Sequence, residues 1–162
     1  MDPDFKLAPQ LVESVIAAVA ALHSLGIMHG DIKPQNLLFE FDRAHRYVVK
    51  LCDLDCAYKI GDVCMATMLG TKQYESPEVY FASYAGEAVT AALSMDMFSL
   101  GLVLWQVLSR SPYSPLDSGK LAELYLNQEK LTQQLILPEQ AAIYAPLLSS
   151  ITQLNSSGRI SS

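Results

Sequence analysis

Positive charge is scarce in this chain. Its 162 residues hold 11 Lys and Arg against 17 Asp and Glu, a formal net charge of −6. A nucleic-acid surface is built from clustered Lys and Arg, so that class of partner is set aside. Cysteine is scarce as well. Cys52, Cys56 and Cys64 are an odd number in a chain of ordinary size. That fits reduced thiols in an intracellular, cytoplasmic protein and not a disulfide framework. Their C-x3-C-x7-C spacing is not that of a zinc site, and no His follows closely. Long apolar runs are missing too. The stretch from Leu100 to Leu108 is interrupted by Gly101 and Gln106 and falls short of the ~20 residues that span a bilayer, so no membrane partner is expected. The first residues have no basic segment leading into an apolar core, as a secretory signal would. With 51% hydrophobic and 17% charged residues, the chain is not disordered, and its length fits one domain with a real core.

Periodicity places the elements. Pro9 to Leu25 is predicted as a helix from Leu11, Val12, Val15, Ile16, Val19 and Leu22, with Gly26 as its cap. Leu37 to Phe41 and Tyr47 to Leu51 read as two strands of a hairpin, which would bring the loop before it and the residues after it together. Residues 54 to 76 look irregular. A short helix is predicted from Pro77. A helix apolar on nearly all sides follows from about residue 94 to 109, with Ser94 as N-cap, as suits a helix in the middle of a domain. After a Pro- and Ser-rich loop from Arg110 to Gly119, Leu121 to Leu135 and Ala141 to Leu154 read as further helices. The fold class is mainly α with a small β-hairpin.

The densest chemistry lies in His29-Gly30-Asp31-Ile32-Lys33-Pro34-Gln35-Asn36, just after the first helix. Asp31 can accept a proton from a hydroxyl nucleophile. Lys33 can neutralise a phosphoryl group as a point charge. Asn36 and a downstream Asp can hold a divalent cation through hard oxygen ligands. The set suits phosphoryl transfer, which is mostly positioning plus charge stabilisation.

This stretch resembles the catalytic loop of protein kinases, H-R-D-L-K-P-x-N, with Gly30 in place of Arg. Lys50 to Asp55 resembles the strand leading into D-F-G, with Asp53 on the metal-binding Asp and Asp55 where Gly is expected. Gly70-Thr71-Lys72-Gln73-Tyr74-Glu75-Ser76-Pro77-Glu78 resembles G-T-x-x-Y-x-A-P-E, and Ser94 to Gly101 the S-x-D-x-W-S-x-G helix start. Arg159 matches the late Arg of the family. The resemblance covers essentially the whole chain and is to the C-terminal lobe. Residues 1–28 contain no Gly-rich loop and no V-A-I-K strand; their one Lys is Lys6. The expectation is a partial kinase domain over residues 1–162, inactive alone. It would have its catalytic loop at 29–36, its activation segment at 53–78 and its central helix at about 94–109, and would lack the last helix of the lobe.

The resemblance implies ATP and Mg²⁺ as cofactors in the complete domain, and a protein Ser or Thr as substrate. Lys33-Pro34 with Thr71 resembles the serine/threonine branch. Asp31 would be the base, Lys33 would steady the γ-phosphoryl group, and Asn36 and Asp53 would bind the metal and nucleotide. His29 is implied to brace the loop from the core, Asp96 to tether its backbone, and Glu78 to pair with Arg159. Asp55 is a third metal candidate. A Gly there would permit positive φ, which Asp adopts only under strain. In an extended segment, Asp53 and Asp55 would face one side and could share a cation. Gly30 removes the Arg that a phosphorylated activation segment neutralises in many kinases. His23 reads as a helix-face residue near a C-terminus. Two other readings stay open. One is a small-molecule kinase of the aminoglycoside or choline type, which shares an H-G-D pattern but lacks the Thr71–Glu78 segment. The other is a pseudokinase-like scaffold, partnered by a separate N-terminal lobe or another kinase domain.

Overall fold

The computed structural model describes residues 7–44, 46–116 and 119–159. Parts of the predicted 42–46 and 110–119 connections, together with Lys6, lie outside those residues. The chain is mostly helical, with three two-stranded antiparallel sheets where one hairpin was predicted.

Helix α1, Ala8–His23, has Pro9 in its first turn and buries Val12, Val15, Val19 and His23 along one stripe. Gly26, at φ 70°, turns the chain into β1, Ile27–Met28. A 3-10 turn at Pro34–Asn36 leads into β2, Leu37–Phe41, which pairs with β3, Tyr47–Leu51, in the register Leu37 to Leu51. The hairpin has the predicted bounds. It lies on α1, where the Val49 N–H donates to Ser14 Oγ at 2.8 Å. At its open end, the Cys52 N–H donates to the Asn36 carbonyl at 3.0 Å. The loop ending at Asn36 and the segment starting at Asp53 are thus neighbours.

Residues 54–76, expected to be irregular, contain regular pieces. Strand β4, Tyr58–Lys59, pairs with β1, and β5, Val63–Met65, precedes a 3-10 turn at Ala66–Met68. Helix α2, Pro77–Ala85, starts at Pro77 as predicted and ends at Gly86, φ 70°. Strand β6, Ala88–Thr90, then pairs with β5. The β5–β6 ladder is extended by Ala66 N–H to Glu87 O and Ala91 N–H to Asp62 O.

Helix α3, Leu93–Ser109, is the centre of the core. Its cap residue is Ala92, so Ser94 is not the N-cap and sits inside the first turn. Phe98, Leu100, Leu102, Leu104 and Leu108 are all at most 1% exposed. Burying each such side chain contributes about 1.5–3 kcal/mol. The predicted helix 121–135 is two helices, α4 (Leu121–Tyr125) and α5 (Gln128–Gln134). They break at Asn127, whose side chain accepts from the Lys130 N–H and caps α5. The predicted helix 141–154 is a 3-10 stretch, Glu139–Tyr144, followed by α6, Ala145–Ile151. Pro146 has no N–H to continue an α ladder backwards. Helix α6 packs on α3 at Gly101, where a Cβ would come within 2.5 Å of Thr152 Cγ2. Among the described residues, no helix is long and apolar enough to cross a membrane.

Several large apolar side chains are exposed. Leu38, Phe39 and Phe41 of the hairpin are exposed, and Leu25 and Leu54 help line an open groove of about 320 Å³ between α1 and β3.

Candidate active site

The loop from His29 is fixed from below by Asp96, which lies in the first turn of α3 and is 1% exposed. Asp96 Oδ2 accepts from the His29 N–H at 2.7 Å, and Oδ1 accepts from the Gly30 N–H at 2.9 Å. His23 Nε2 also donates to Oδ2, at 2.8 Å. His23, expected as a helix-face residue near a C-terminus, is in the last turn of α1 and is a buried partner of Asp96. The signal was its place on the stripe Val15, Val19, His23.

His29 is wholly buried. Its Nδ1 accepts from the Asp31 N–H at 3.2 Å, which leaves the ring proton on Nε2, and that proton is donated to the Cys52 carbonyl at 3.1 Å. One ring thus ties the loop to the residue before Asp53.

Asp31 is 9% exposed and carries the centre of the site. Lys33 Nζ lies 2.6 Å from its Oδ2. The Thr71 hydroxyl donates to its Oδ1 at 2.8 Å, and Lys33 Nζ donates to Thr71 Oγ1 at 2.9 Å, closing a triangle. Asn36 Nδ2 donates to the Asp31 carbonyl at 2.9 Å and to Oδ2 at 3.2 Å. Charge-assisted bonds of this kind hold a carboxylate in one orientation. Thr71 reaches Asp31 because Gly70, at φ 65°, turns the chain against the Glu75 side chain, whose Cγ would be 2.8 Å from a Cβ at position 70.

The expectation for Asp55 is corrected. Positive φ falls on Asp53, at 65°, and not on Asp55. Asp is among the residues that adopt this region most readily. The chain then turns, with the Ala57 N–H donating to Leu54 O at 3.0 Å. The segment is not extended, so the argument that put Asp53 and Asp55 on one side does not apply. Both residues are exposed, and neither carboxylate has a hydrogen bond or ion pair among the described residues. Asn36 spends its amide hydrogens on Asp31, which leaves its carbonyl oxygen as its donor atom for a metal. Hard oxygens of this kind suit Mg²⁺. No cluster of three or more His, Cys, Asp or Glu suited to a metal occurs among the described residues.

Gly30 has a tighter role than the loss of an Arg suggests. Its φ is 79°, and a Cβ there would sit 2.2 Å from the Cys56 carbonyl oxygen. The main chain after Asp53 thus fills the place of a side chain at position 30. Burial pushes the Cys56 thiol above its ordinary value.

Glu75 and Ser76 were not singled out from the sequence, yet both are buried beside this loop, at 7% and 1% exposure. Burial pushes the Glu75 carboxyl up to about 7; nearby Asp31 adds to the rise and Lys72 opposes it. Further along, Arg159 meets Glu78 through two parallel bonds, NH1 to Oε1 at 2.5 Å and NH2 to Oε2 at 3.0 Å. It also donates to the carbonyls of Gln153 and Ser94, at 2.6 and 3.0 Å. Beside the Asp31 triangle, an open groove of about 700 Å³ is lined by Lys33, Gln35, Thr71, Gln73, Tyr113 and Ser114, among others.

Residues 4–161 match the protein kinase domain family, and the chain belongs to that family. It is 37% identical over 126 residues to the serine/threonine-protein kinase chk-2 of Caenorhabditis elegans, covering 78% of this chain and 25% of that protein. It is 35% identical over 109 residues to calcium-dependent protein kinase 24 of Oryza sativa subsp. japonica, covering 66% of this chain and 20% of that protein. A probable serine/threonine-protein kinase of Dictyostelium discoideum is 33% identical over 117 residues, covering 71% of this chain and 12% of that protein. The chain thus spans a quarter or less of the length of these relatives.

Proposed function

We propose that this chain is the catalytic lobe of a serine/threonine protein kinase, which moves the γ-phosphoryl group of Mg-ATP to a protein Ser or Thr hydroxyl. The observation that carries this reading is the closed contact of Asp31, Lys33 and Thr71 at the edge of an open groove. Asp31 takes the hydroxyl proton and aims the oxygen. Lys33, already drawn to the same carboxylate, steadies the charge of the group in transfer. Thr71 makes the geometry of Asp31 depend on the docked 70–76 segment. Bound Mg-ATP supplies the phosphoryl group and the cationic charge that offsets it. Asn36 and Asp53 are the residues that would hold the metal; Asp55 is left out, because the turn removes the reason for including it. The substrate class follows the serine/threonine kinases named above and the Lys33–Thr71 contact.

The nucleotide-covering Gly-rich loop and its anchoring Lys would have to come from outside these 162 residues, so turnover is expected only when they are supplied. The test is a fusion that supplies them. In it, Asp31→Asn should reduce kcat by about 10²-fold or more, the scale of general-base catalysis. Phosphatase treatment should change it little, since Gly30 cannot pair with a phosphate. The reverse ranking of the two effects overturns this reading. A second reading, a non-catalytic scaffold, is favoured by the open groove that Leu25 and Leu54 help to line. It predicts a fusion that binds partners without turning over.

A further inference from the structure

The groove beside Asp31 has three walls: the catalytic loop at Gln35, the 70–76 segment at Gln73, and the connection after α3 at Tyr113 and Ser114. The walls are fastened to one another and to the core. The Ser114 hydroxyl donates to the Gln73 carbonyl at 3.0 Å, and the Tyr74 hydroxyl donates to Gln106 Oε1 of α3 at 2.8 Å. The Tyr113 N–H donates to Ser111 Oγ at 3.2 Å, and the Ser111 hydroxyl donates back to the Tyr113 carbonyl at 3.0 Å. A held main chain thus presents Tyr113, which is 77% exposed. A Tyr carried in this way offers a large contact area at little cost in conformational entropy. Carboxylates are what the groove lacks. Among the described residues that line it, none is acidic, and Lys33 is the only charged one. Its ammonium is already drawn to Asp31, at 2.6 Å. Gln35 and Gln73 are exposed, and neither carboxamide has a hydrogen-bond partner among the described residues.

We propose that this groove selects a substrate segment whose residues around the acceptor hydroxyl are uncharged, with polar side chains against Gln35 and Gln73 and an apolar one against Tyr113, and that it discriminates against Lys and Arg. The inference rests on the kinase reading of Asp31 and adds the class of sequence brought to it. A carboxamide both donates and accepts, so it matches the amides, hydroxyls and main chain of a neutral segment. A Lys or Arg entering the same place sheds water and meets no carboxylate in return, and Lys33 repels it. An Asp or Glu gains little, because Asp31 already offsets the charge of Lys33. Gln35 and Gln73 are therefore the specificity-determining residues.

The test uses the whole chain and short peptides with Ala at the acceptor position, alike except that the flanking residues are Asn and Gln, or Arg, or Glu. Binding is read from the backbone amide signals of Gln73 and Ser114 in NMR titrations at low salt. The uncharged peptide should bind about tenfold more tightly than the Arg peptide. Gln35→Glu combined with Gln73→Glu should reverse that order. Versions of the same peptides with Ser as acceptor, given to the fusion described above, should rank alike in kcat/KM. Turnover with the Arg peptide preferred, or with no ranking, overturns this inference and leaves the kinase reading standing. Binding in the expected order without any turnover sinks the kinase reading and upholds the preference of the groove. Absence of binding by every peptide, or an order that the two Glu substitutions fail to move, would also overturn the proposal.

Discussion

Arg159 illustrates how much one side chain near the end of a chain can hold. Its side chain is fully buried, whereas that of Glu78 is 25% exposed. The guanidinium also lies over the Phe98 ring, 5.0 Å from its centre. Removing either partner leaves the other charge without its bidentate mate, at a cost of about 3–5 kcal/mol. Arg159→Ala and Glu78→Ala should each destabilise by that amount in urea titrations, and the double variant should cost much less than their sum. Additive effects would show that the two act independently. Glu75 gives a second residue-scale outcome, in pH. Its folded value, about 7, stands above the ordinary 4.5, so the folded state binds the proton more tightly. The stability this supplies is complete below about pH 4.5 and is lost as pH rises through 7. The loss should amount to roughly 3 kcal/mol at most. Glu75→Gln should flatten the difference, seen as a converging pair of stability–pH curves. Curves that stay parallel from pH 4 to 8 would refute it.

At the scale of elements, the parts legible in the sequence were those whose signal is local. The stripe Val12, Val15, Val19 gave α1, two short apolar runs joined by a polar turn gave β2 and β3, and an all-round apolar run gave α3. Strands β4 and β5 were not legible. Each is two or three residues long, and their partners, β1 and β6, lie some 30 and 25 residues away in sequence (Lys59 to Ile27, Cys64 to Val89). The breaks at Asn127 and Pro146 carried readable signals, an N-cap followed by Glu129 and a Pro in a first turn, which the apolar spacing overrode. In the site, Asp31, Lys33, Asn36 and Thr71 were legible because their spacing is a motif. Glu75 and Ser76 were not, because burial of a carboxyl is decided by what packs over it. Gly30 shows the same limit, since its neighbour is a main-chain atom of a different segment. Gly30→Ala should destabilise by several kcal/mol, from an L-residue held at φ 79° and a Cβ 2.2 Å from the Cys56 oxygen. A thermal melt within a degree of the unaltered chain would mean that the 53–57 segment moves freely.

For the molecule as a whole, the exposed apolar residues dominate behaviour in solution. Leu25, Leu38, Phe39, Phe41 and Leu54 are each between 49% and 72% exposed. Large apolar side chains left in water favour association with a partner or with another copy. The 162-residue polypeptide should self-associate in light scattering and bind a hydrophobic dye, and Leu25→Glu with Phe41→Glu should reduce both; a monodisperse, dye-free monomer would contradict this. The Gly30 contact also sets the terms on which the molecule could be redesigned. To place it under the control of a phosphate, an engineer would install Arg at position 30. The atom in the way belongs to the main chain of Cys56, so no change of side chain at position 56 clears it. Residues 54 to 57 would have to be rerouted as a block, together with the new Arg. The route from this sequence to a phosphate-gated one therefore runs through the length and path of a loop, and a library of single substitutions would not contain it.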